Sequence, residues 1–244
     1  MSTHRFKDRI ALVTGATRGI GKALAVGLGR EGAHVIACGR TQGGLEELDD
    51  EIKALHGAAG GQAATLIKLD LRKGGDIDAL GPTLYQRFGR LDILYANAGV
   101  LGPISPVGHL DDADWNEVID VNLTANMRLM RTLDPLLRRS DAGRAIFVTS
   151  GAASRPKAYM GPYAASKAAL DVLVKCYADE MANTPVRVNL ANPGATRTGM
   201  RAKLMPGEDP MTLPTAEEQA AKLLDLALPS VTANGQLFDF AVRR

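Results

Sequence analysis

Apolar positions along the chain follow two alternating spacings. Short apolar runs such as Ile10 to Val13 are typical of strands buried on both faces of a parallel sheet. Other segments repeat apolar residues every three or four positions, as at Leu45, Leu48 and Ile52, which is typical of amphipathic helices. The predicted strands cover residues 10–14, 33–38, 64–69, 91–96, 145–149, 186–191 and 236–240. The predicted helices cover residues 20–30, 45–55, 77–88, 111–137, 163–182 and 216–227.

This alternation of strands and helices predicts the fold class. Strand–helix–strand units connect parallel strands by right-handed crossovers. We therefore expect an α/β protein with a doubly wound parallel sheet of about seven strands. The chain has 244 residues, 45% of them hydrophobic, and neither a linker nor a repeated motif interrupts it. A single domain over residues 1–244 is the prediction.

Charge and composition exclude several classes of function. Lys and Arg number 29 against 27 Asp and Glu, and the two signs are interspersed, so no nucleic-acid partner is expected. Two cysteines without a CxxC pair and four scattered histidines form no metal pattern, so we expect no metal. The first nine residues lack an apolar signal core, and no run reaches the roughly 18 apolar residues of a membrane span. These features favour a cytoplasmic protein with no membrane partner.

A glycine-rich turn separates the first predicted strand from the first helix. Residues 14–21 read TGATRGIG, with Gly15, Gly19 and Gly21 in the turn. Glycine lets the backbone bend sharply and approach a pyrophosphate, while the helix N-terminus offers unpaired N–H groups and a positive dipole. Three glycines alone also occur in ordinary turns. Their position between a strand and a helix favours a dinucleotide site.

The spacing TGxxxGxG resembles that of the short-chain dehydrogenase/reductase family in its single-domain form, and the resemblance covers nearly the whole chain. It implies a seven-stranded parallel sheet, a nicotinamide cofactor and a homo-oligomer, either a homodimer or a homotetramer. It also implies that the turn contacts the cofactor. The residues concerned are Gly15, Thr17, Arg18, Gly19, Ile20 and Gly21.

The residues that follow the second strand bear on the choice of cofactor. A carboxylate there would bind the adenosine ribose and repel a 2′-phosphate. This chain instead has Gly39 and Arg40, with Arg18 in the glycine turn. Two guanidinium groups can hold a phosphate by forked hydrogen bonds, and in similar family members arginines here accompany NADP(H). NADP(H) is therefore favoured over NAD(H), unless both arginines are simply solvated.

Two short motifs extend the resemblance along the sheet edge. Asp70 and Leu71 follow the third strand, where the family places an acid that contacts the adenine. Asn97, Ala98 and Gly99 follow the fourth strand and resemble the family motif NNAG, with its first Asn replaced. The resemblance implies cofactor contacts at all five positions. As alternatives, Asp70 could cap a turn and Asn97 could be structural.

A third motif follows the sixth strand. The run PGATRT at 193–198 resembles the family motif PGxxxT. The resemblance implies that Pro193, Gly194, Thr196 and Thr198 contact the cofactor, with Thr198 at the nicotinamide carboxamide. Taken alone, the Pro-Gly pair indicates only a turn.

Tyr163 and Lys167 form the most informative pair in the sequence. They stand four residues apart in a predicted helix, so the phenol and the ammonium share one face. A ketone that accepts hydride needs a proton donor, and a phenol with an unperturbed pKa of about 10 needs a neighbouring cation to work near neutral pH. Ser150 ends the fifth strand at the same sheet edge and can orient a carbonyl, whereas Thr149 should face away.

The resemblance assigns roles to four residues. It implies that Ser150 orients the substrate, that Tyr163 is the acid/base, and that Lys167 tunes Tyr163 and binds the cofactor. It also implies that Asn122 holds a proton-relaying water, although a hydrogen-bonded helix kink at Asn122 is the open alternative. The chain is therefore expected to be an oxidoreductase that moves a hydride between NADP(H) and a small carbonyl or secondary-alcohol substrate.

Two other functions remain open at this stage. One is an NAD-preferring alcohol dehydrogenase of the same family, and the other is a non-catalytic NADP(H)-binding sensor or scaffold. The substrate is open as well. Arg155, Lys157, Arg201 and Lys203 could attract an anionic substrate or could be solvated surface.

Overall fold

A computed structural model describes residues 4–55 and 63–241, and its centre is a seven-stranded sheet. All strand pairs are parallel, in the order β3-β2-β1-β4-β5-β6-β7. The predicted fold class, an α/β protein with a doubly wound parallel sheet, is confirmed. The strands are β1 (Ile10–Thr14), β2 (His34–Gly39), β3 (Thr65–Lys68), β4 (Ile93–Ala96), β5 (Arg144–Val148), β6 (Arg187–Asn192) and β7 (Leu237–Asp239).

Helices cover both faces of the sheet. They are α1 (Gly19–Arg30), α2 (Gln42–Ala54), α3 (Gly74–Asp78), α4 (Leu80–Phe88), α5 (Asp112–Ile119), α6 (Ala125–Leu137), α7 (Gly161–Glu180), α8 (Gly199–Leu204) and α9 (Ala216–Leu224). In β1, Leu12 packs in one core cluster with Leu133 of α6, whereas Val13 packs in the other with Leu24 of α1. Successive residues thus face opposite layers, which explains why the strands are apolar throughout. Within the described ranges, no helix has both the length and the apolar character that a membrane crossing requires.

The helix predicted over 111–137 is interrupted. A π-helical turn, Asp120–Thr124, separates α5 from α6 and contains the fully buried Asn122. The side-chain Oδ1 of Asn122 accepts a hydrogen bond from the Val100 N–H at 2.8 Å, and its Nδ2 donates to the Val100 oxygen at 2.9 Å. The turn therefore places an amide where it pairs with the loop after β4, an arrangement that a regular helical period does not reveal.

The strand order creates a crevice at one edge of the sheet. Because β1 lies between β2 and β4, the chain leaves β1 and β4 in opposite directions at their carboxyl ends. Open α/β sheets bind ligands at such a point. The loops after β1, β2, β4, β5 and β6 all lie at this edge.

Candidate active site

A cleft of about 1400 Å³ opens at the carboxyl edge of the sheet. Three of the four predicted catalytic residues line it, namely Ser150, Tyr163 and Lys167. Asn122 does not. The cleft is also lined by all of the predicted cofactor contacts, which are Gly15, Thr17, Arg18, Gly19, Ile20, Gly21, Arg40, Asp70, Leu71, Asn97, Ala98, Gly99, Tyr163, Lys167, Pro193, Gly194, Thr196 and Thr198.

The backbone of the glycine turn requires glycine at two of its positions. Gly15 has φ +66°, in the left-handed region. A Cβ on Gly21 would lie 2.2 Å from the Gly15 oxygen, so only glycine fits there. The helix α1 begins at Gly19, within this segment, with no side-chain cap at Arg18 and no acidic residue in its first turn. Its N-terminal N–H groups and its positive dipole therefore suit a phosphate.

Two exposed arginines lie beside this turn on the cleft wall. Arg18 belongs to the turn, and Arg40 follows β2. Within residues 4–55 and 63–241, neither guanidinium forms an ion pair with a carboxylate. Gly39 and Arg40 occupy the end of β2, so no acid stands there to repel a 2′-phosphate. The residues present thus fit a dinucleotide with that extra phosphate.

Asp70 is held by a neighbour that the sequence reasoning missed. Arg72 donates to its carboxylate from Nε at 3.0 Å and from Nη2 at 2.6 Å, and the Arg72 backbone N–H donates at 3.1 Å. The Arg72 guanidinium holds the pKa of Asp70 at about 2. Asp70 therefore caps a turn, as the structural alternative expects, while it also lines the cleft. The Asp-x-Arg spacing is the signal that would have suggested the pair.

Asn97 joins the ends of β1 and β4. Its Nδ2 donates to the Thr14 oxygen at 3.1 Å, and the N–H groups of Asn97 and Ala98 donate to the Thr14 hydroxyl, each at 3.1 Å. Thr14, not predicted as a site residue, thus fixes the motif after β4. Gly99 follows, and a Cβ there would lie 3.6 Å from Lys167 Nζ. The backbone of Gly99 therefore lies close to the Lys167 ammonium.

The motif after β6 also lines the cleft. Gly194 has φ +75°, and a Cβ there would lie 2.7 Å from Ala241 Cα. The Thr196 hydroxyl donates to the Gly194 oxygen at 3.2 Å. Thr198 caps α8 by accepting the Arg201 N–H at 3.3 Å, and its methyl group lies beside Gly19 of the glycine turn. The motif after β6 therefore lies against the glycine turn at Gly19.

Ser150, Tyr163 and Lys167 converge between β5 and α7. Ser150 lies just after β5 and accepts the Ala152 N–H at 3.2 Å. Its hydroxyl is hydrogen-bonded with the Tyr163 phenol. Lys167 stands one turn further along α7, where its Nζ donates to the Val148 oxygen at 2.8 Å and lies 6.0 Å from the centre of the Tyr163 ring. The arrangement places a proton donor, an orienting hydroxyl and an ammonium side by side.

Burial dominates the proton affinities of the two titratable groups. It raises the pKa of the Tyr163 phenol, an effect that the hydrogen bond with Ser150 opposes. It lowers the pKa of Lys167 to about 8, although the nearby Asp171 opposes this shift. In the protein alone the phenol is therefore protonated at neutral pH. That is the form in which a phenol can protonate a reduced carbonyl oxygen.

Asn122 and Thr149 are hydrogen-bonded to other side chains near these groups. The Asn122 side chain donates to the Ser166 hydroxyl at 3.0 Å, and Ser166 donates to the Tyr163 backbone oxygen at 2.8 Å. Asn122 is thus connected to Tyr163 through Ser166, a residue that the sequence reasoning did not single out. The Thr149 hydroxyl donates to Asp171, which leaves Ser150 as the hydroxyl at the phenol.

Part of the cleft lining is apolar and includes Leu204, the last residue of α8. Leu101, Met160 and Tyr163 pack together, with Ala152 and Leu204 against them. Arg201, one of the residues that could attract an anionic substrate, instead pairs with Glu208 in the cleft lining: Arg201 Nη2 lies 2.7 Å from Glu208 Oε1. Among the described residues, no group of three or more His, Cys, Asp and Glu side chains could hold a metal ion.

Comparison with known proteins defines the class to which this fold and site belong. The sequence model of the short chain dehydrogenases matches residues 9–209. The chain therefore belongs to the short-chain dehydrogenase/reductase family.

Individual relatives extend over most of the chain. The uncharacterized oxidoreductase YciK of Escherichia coli (strain K12) is 39% identical over 210 residues, which is 85% of this chain and 81% of YciK. A protein of this class from Shigella flexneri 2a strain 301, solved with NADP, has a TM-score of 0.92 at 35% identity and covers 98% of this chain and 99% of its own. One from Escherichia coli CFT073, solved with NADPH, has a TM-score of 0.89 at 36% identity and covers 98% of each chain.

Proposed function

We propose that this protein is an NADP(H)-dependent carbonyl reductase or secondary-alcohol dehydrogenase with Tyr163 as its acid/base. The observation that carries the proposal is the convergence of Ser150, Tyr163 and Lys167 on a cleft whose far end holds the glycine turn. A bound nicotinamide supplies the hydride. The substrate carbonyl then needs an orienting hydrogen bond and a proton. The hydroxyl of Ser150 offers the first and the phenol of Tyr163 offers the second.

Each residue has a distinct part in this proposal. Ser150 orients the carbonyl, and Tyr163 gives its proton to the oxygen as negative charge develops there. Lys167, fixed by the Val148 oxygen, stabilises the phenolate that remains and binds the cofactor ribose. Asn122, Ser166 and the π-helical turn hold the start of α7 in place. In the reverse direction the phenolate takes the proton from an alcohol.

NADP(H) is preferred over NAD(H) in this proposal because Arg18 and Arg40 offer two unpaired guanidinium groups among the described residues. The two similar structures solved with NADP and NADPH support the same choice. We also propose a cytoplasmic location, since Cys38 and Cys176 are both free thiols and suit a reducing compartment. A single domain over residues 1–244, in a homodimer or homotetramer, completes the proposal.

The experiment is cofactor-linked absorbance with a panel of ketones, aldehydes and secondary alcohols. We expect Tyr163→Phe to lower kcat about 100- to 10000-fold, because it removes the transferable proton. Tyr159→Phe is the matched control, since Tyr159 lies four residues away, is exposed and does not line the cleft. A Tyr163→Phe enzyme with the wild-type rate would overturn the mechanism. Tight NADPH binding without turnover of any substrate would favour the sensor instead.

The cofactor preference has its own test. We expect Arg18→Gln combined with Arg40→Gln to weaken NADPH binding about 10- to 100-fold while NADH binding changes little, because only NADPH carries the 2′-phosphate. Fluorescence titration of both cofactors measures the ratio. Equal losses for NADPH and NADH would contradict the role of the two arginines.

A further inference from the structure

The cleft carries more positive charge than the proposed chemistry uses. Arg155, Lys157, Arg201 and Lys203 all line it. Arg201 is neutralised by Glu208 through a two-pronged contact. In the part of the chain that the structure describes, Arg155, Lys157 and Lys203 have no carboxylate partner within ion-pair distance. Three exposed cations without a carboxylate partner therefore lie in the cleft lining.

Arg155 lies on the loop after β5, the same loop that carries Ser150. Its backbone N–H donates to the Gly151 oxygen at 2.9 Å, which turns the chain back towards the end of β5. Its Nη2 lies 3.6 Å from the position that a Cβ on Gly151 would occupy. Gly151 directly follows Ser150, the residue proposed to orient the carbonyl. The Arg155 guanidinium thus lies beside the residue next to that hydroxyl.

The acidic residues of the cleft do not cancel these charges. Four carboxylates line it: Asp70, Asp114, Glu117 and Glu208. Asp70 and Glu117 both pair with Arg72, and Glu208 pairs with Arg201. Asp114 alone has no ion-pair partner in the described ranges, and it lies on α5 rather than on the loop that carries Arg155. The loop after β5 therefore presents a guanidinium without a counter-charge.

From this arrangement we infer the substrate class: a carbonyl compound that also carries a carboxylate, with Arg155 as the carboxylate ligand and Lys157 and Lys203 as attracting charges. The inference rests on the proposed reductase function. A guanidinium binds a carboxylate through two parallel hydrogen bonds, which fixes the direction of the substrate as well as its charge. The apolar side chains of Leu101, Met160 and Leu204 would contact the carbon chain between the two groups.

The test compares acids with their uncharged esters. NADPH oxidation is measured with pyruvate, acetoacetate and levulinate, and with the ethyl ester of each. We expect at least one acid to have a kcat/KM about 10-fold or more above that of its ester. Because the three acids differ in the distance from carbonyl to carboxylate, the best of them reports how far Arg155 lies from the reacting carbon. If every ester is reduced as well as its acid, the inference is wrong while the reductase function stands.

Variants then assign the preference to Arg155. We expect Arg155→Gln to raise the KM for the preferred acid about 10- to 100-fold and to leave kcat/KM for its ester unchanged, because only the acid loses a charged hydrogen bond. Arg155→Lys should restore part of the loss, since it keeps the charge but not the fork. Arg87→Gln, an exposed arginine outside the cleft, is the matched control.

The outcomes separate this inference from the function on which it rests. Equal losses for acid and ester in Arg155→Gln would show a general role in folding or cofactor binding and would overturn the inference. Turnover of esters that disappears in Tyr163→Phe, with no preference for any acid, would leave the proposed function intact and the inference wrong. Absence of turnover with every carbonyl compound would overturn both.

Discussion

Buried charged groups lie at both ends of the parallel strands, which we call the amino edge and the carboxyl edge of the sheet. The groups at the two edges differ in how completely they are hydrogen-bonded. At the amino edge, Asp92 is completely buried, and each of its oxygens is occupied. It accepts hydrogen bonds from the Ile10 N–H at 2.9 Å, the Ser140 hydroxyl at 2.6 Å and Arg90 Nε at 3.1 Å, with Arg9 at 3.4 Å. At the carboxyl edge, the buried ammonium of Lys167 donates to one backbone oxygen, that of Val148.

Arg144 is a second buried charged group at the amino edge that is hydrogen-bonded to several protein partners. It is 4% exposed, and its guanidinium donates to four backbone oxygens: those of Gly143, Pro185, Leu228 and Pro229. Burial lowers its pKa to about 10. These bonds connect the start of β5 to the segments before β6 and after α9, so the charge serves to join loops.

This difference distinguishes buried charges that stabilise the fold from buried charges that are available to a ligand. A buried charge whose hydrogen-bonding capacity is filled is stable and inert, whereas one that keeps free capacity is costly unless a ligand uses it. Shifted pKa values occur at both edges, at Arg144 as at Lys167, so the shift alone does not mark a functional site. We propose instead that hydrogen-bonding capacity left unused beside an open cleft, as at Lys167, marks it.

The largest expected effect concerns the amino edge. Asp92→Ala should lower the free energy of unfolding by about 3 kcal/mol, because it leaves two arginines and a backbone N–H without their buried acceptor. Urea denaturation measures this loss. The activity of the folded fraction should remain that of the wild type, since Asp92 lies at the edge away from the cleft.

Asp141→Ala is the control for that substitution. Asp141 pairs with the same Arg9, but its side chain is 84% exposed, so we expect a change below about 1 kcal/mol. A fall in the specific activity of folded Asp92→Ala would contradict the division between the two edges, because it would connect the amino edge to the chemistry.

The next effect concerns the carboxyl edge. Lys167→Met should lower kcat about 100-fold or more, because the phenolate of Tyr163 loses its neighbouring cation. The stability of this variant should depend on pH in a defined direction. Burial lowers the pKa of Lys167 from 10.5 to about 8, so the unfolded chain binds the extra proton between these values. The wild type should therefore gain up to about 3 kcal/mol relative to Lys167→Met as the pH rises from 8 to 10.5.

Urea denaturation of both proteins at pH 7.5 and at about pH 10 measures this difference. Lys175→Met, an exposed lysine on the same helix, should change neither kcat nor the pH dependence. A Lys167→Met protein that loses stability at pH 7.5 as Asp92→Ala does would place Lys167 among the structural charges, against the comparison.

The sequence predicts the sheet and the local motifs well, for a physical reason. Strands buried on both faces must be apolar, and the glycine turn needs Gly15 and Gly21 to close, so both leave a continuous signal in the chain. The pair of Tyr163 and Lys167 is equally local, because one helical turn brings them together.

Contacts between distant segments leave no such signal. Asn122 reaches Val100 across 22 residues and lies in a π-helical turn that no apolar period marks. Thr14 meets Asn97 only because β1 and β4 are neighbours in the sheet. The short helix α8 mixes apolar and charged residues, and Thr198 caps it while Arg201 pairs with Glu208 beyond its end. Each of these depends on the assembled fold.

The smallest expected effect tests whether a buried polar group with unused hydrogen-bonding capacity always has a function. Gln219 on α9 is 1% exposed, and neither its amide oxygen nor its nitrogen has a hydrogen-bond partner among the described residues. It does not line the cleft, so its buried amide should only destabilise the fold. Gln219→Leu should then raise the free energy of unfolding by about 1 kcal/mol and leave kcat and NADPH affinity unchanged. The exposed Gln86→Leu is the control, and urea denaturation with NADPH titration are the measurements. A loss of NADPH affinity in Gln219→Leu alone would instead add its amide to the functional groups of the carboxyl edge.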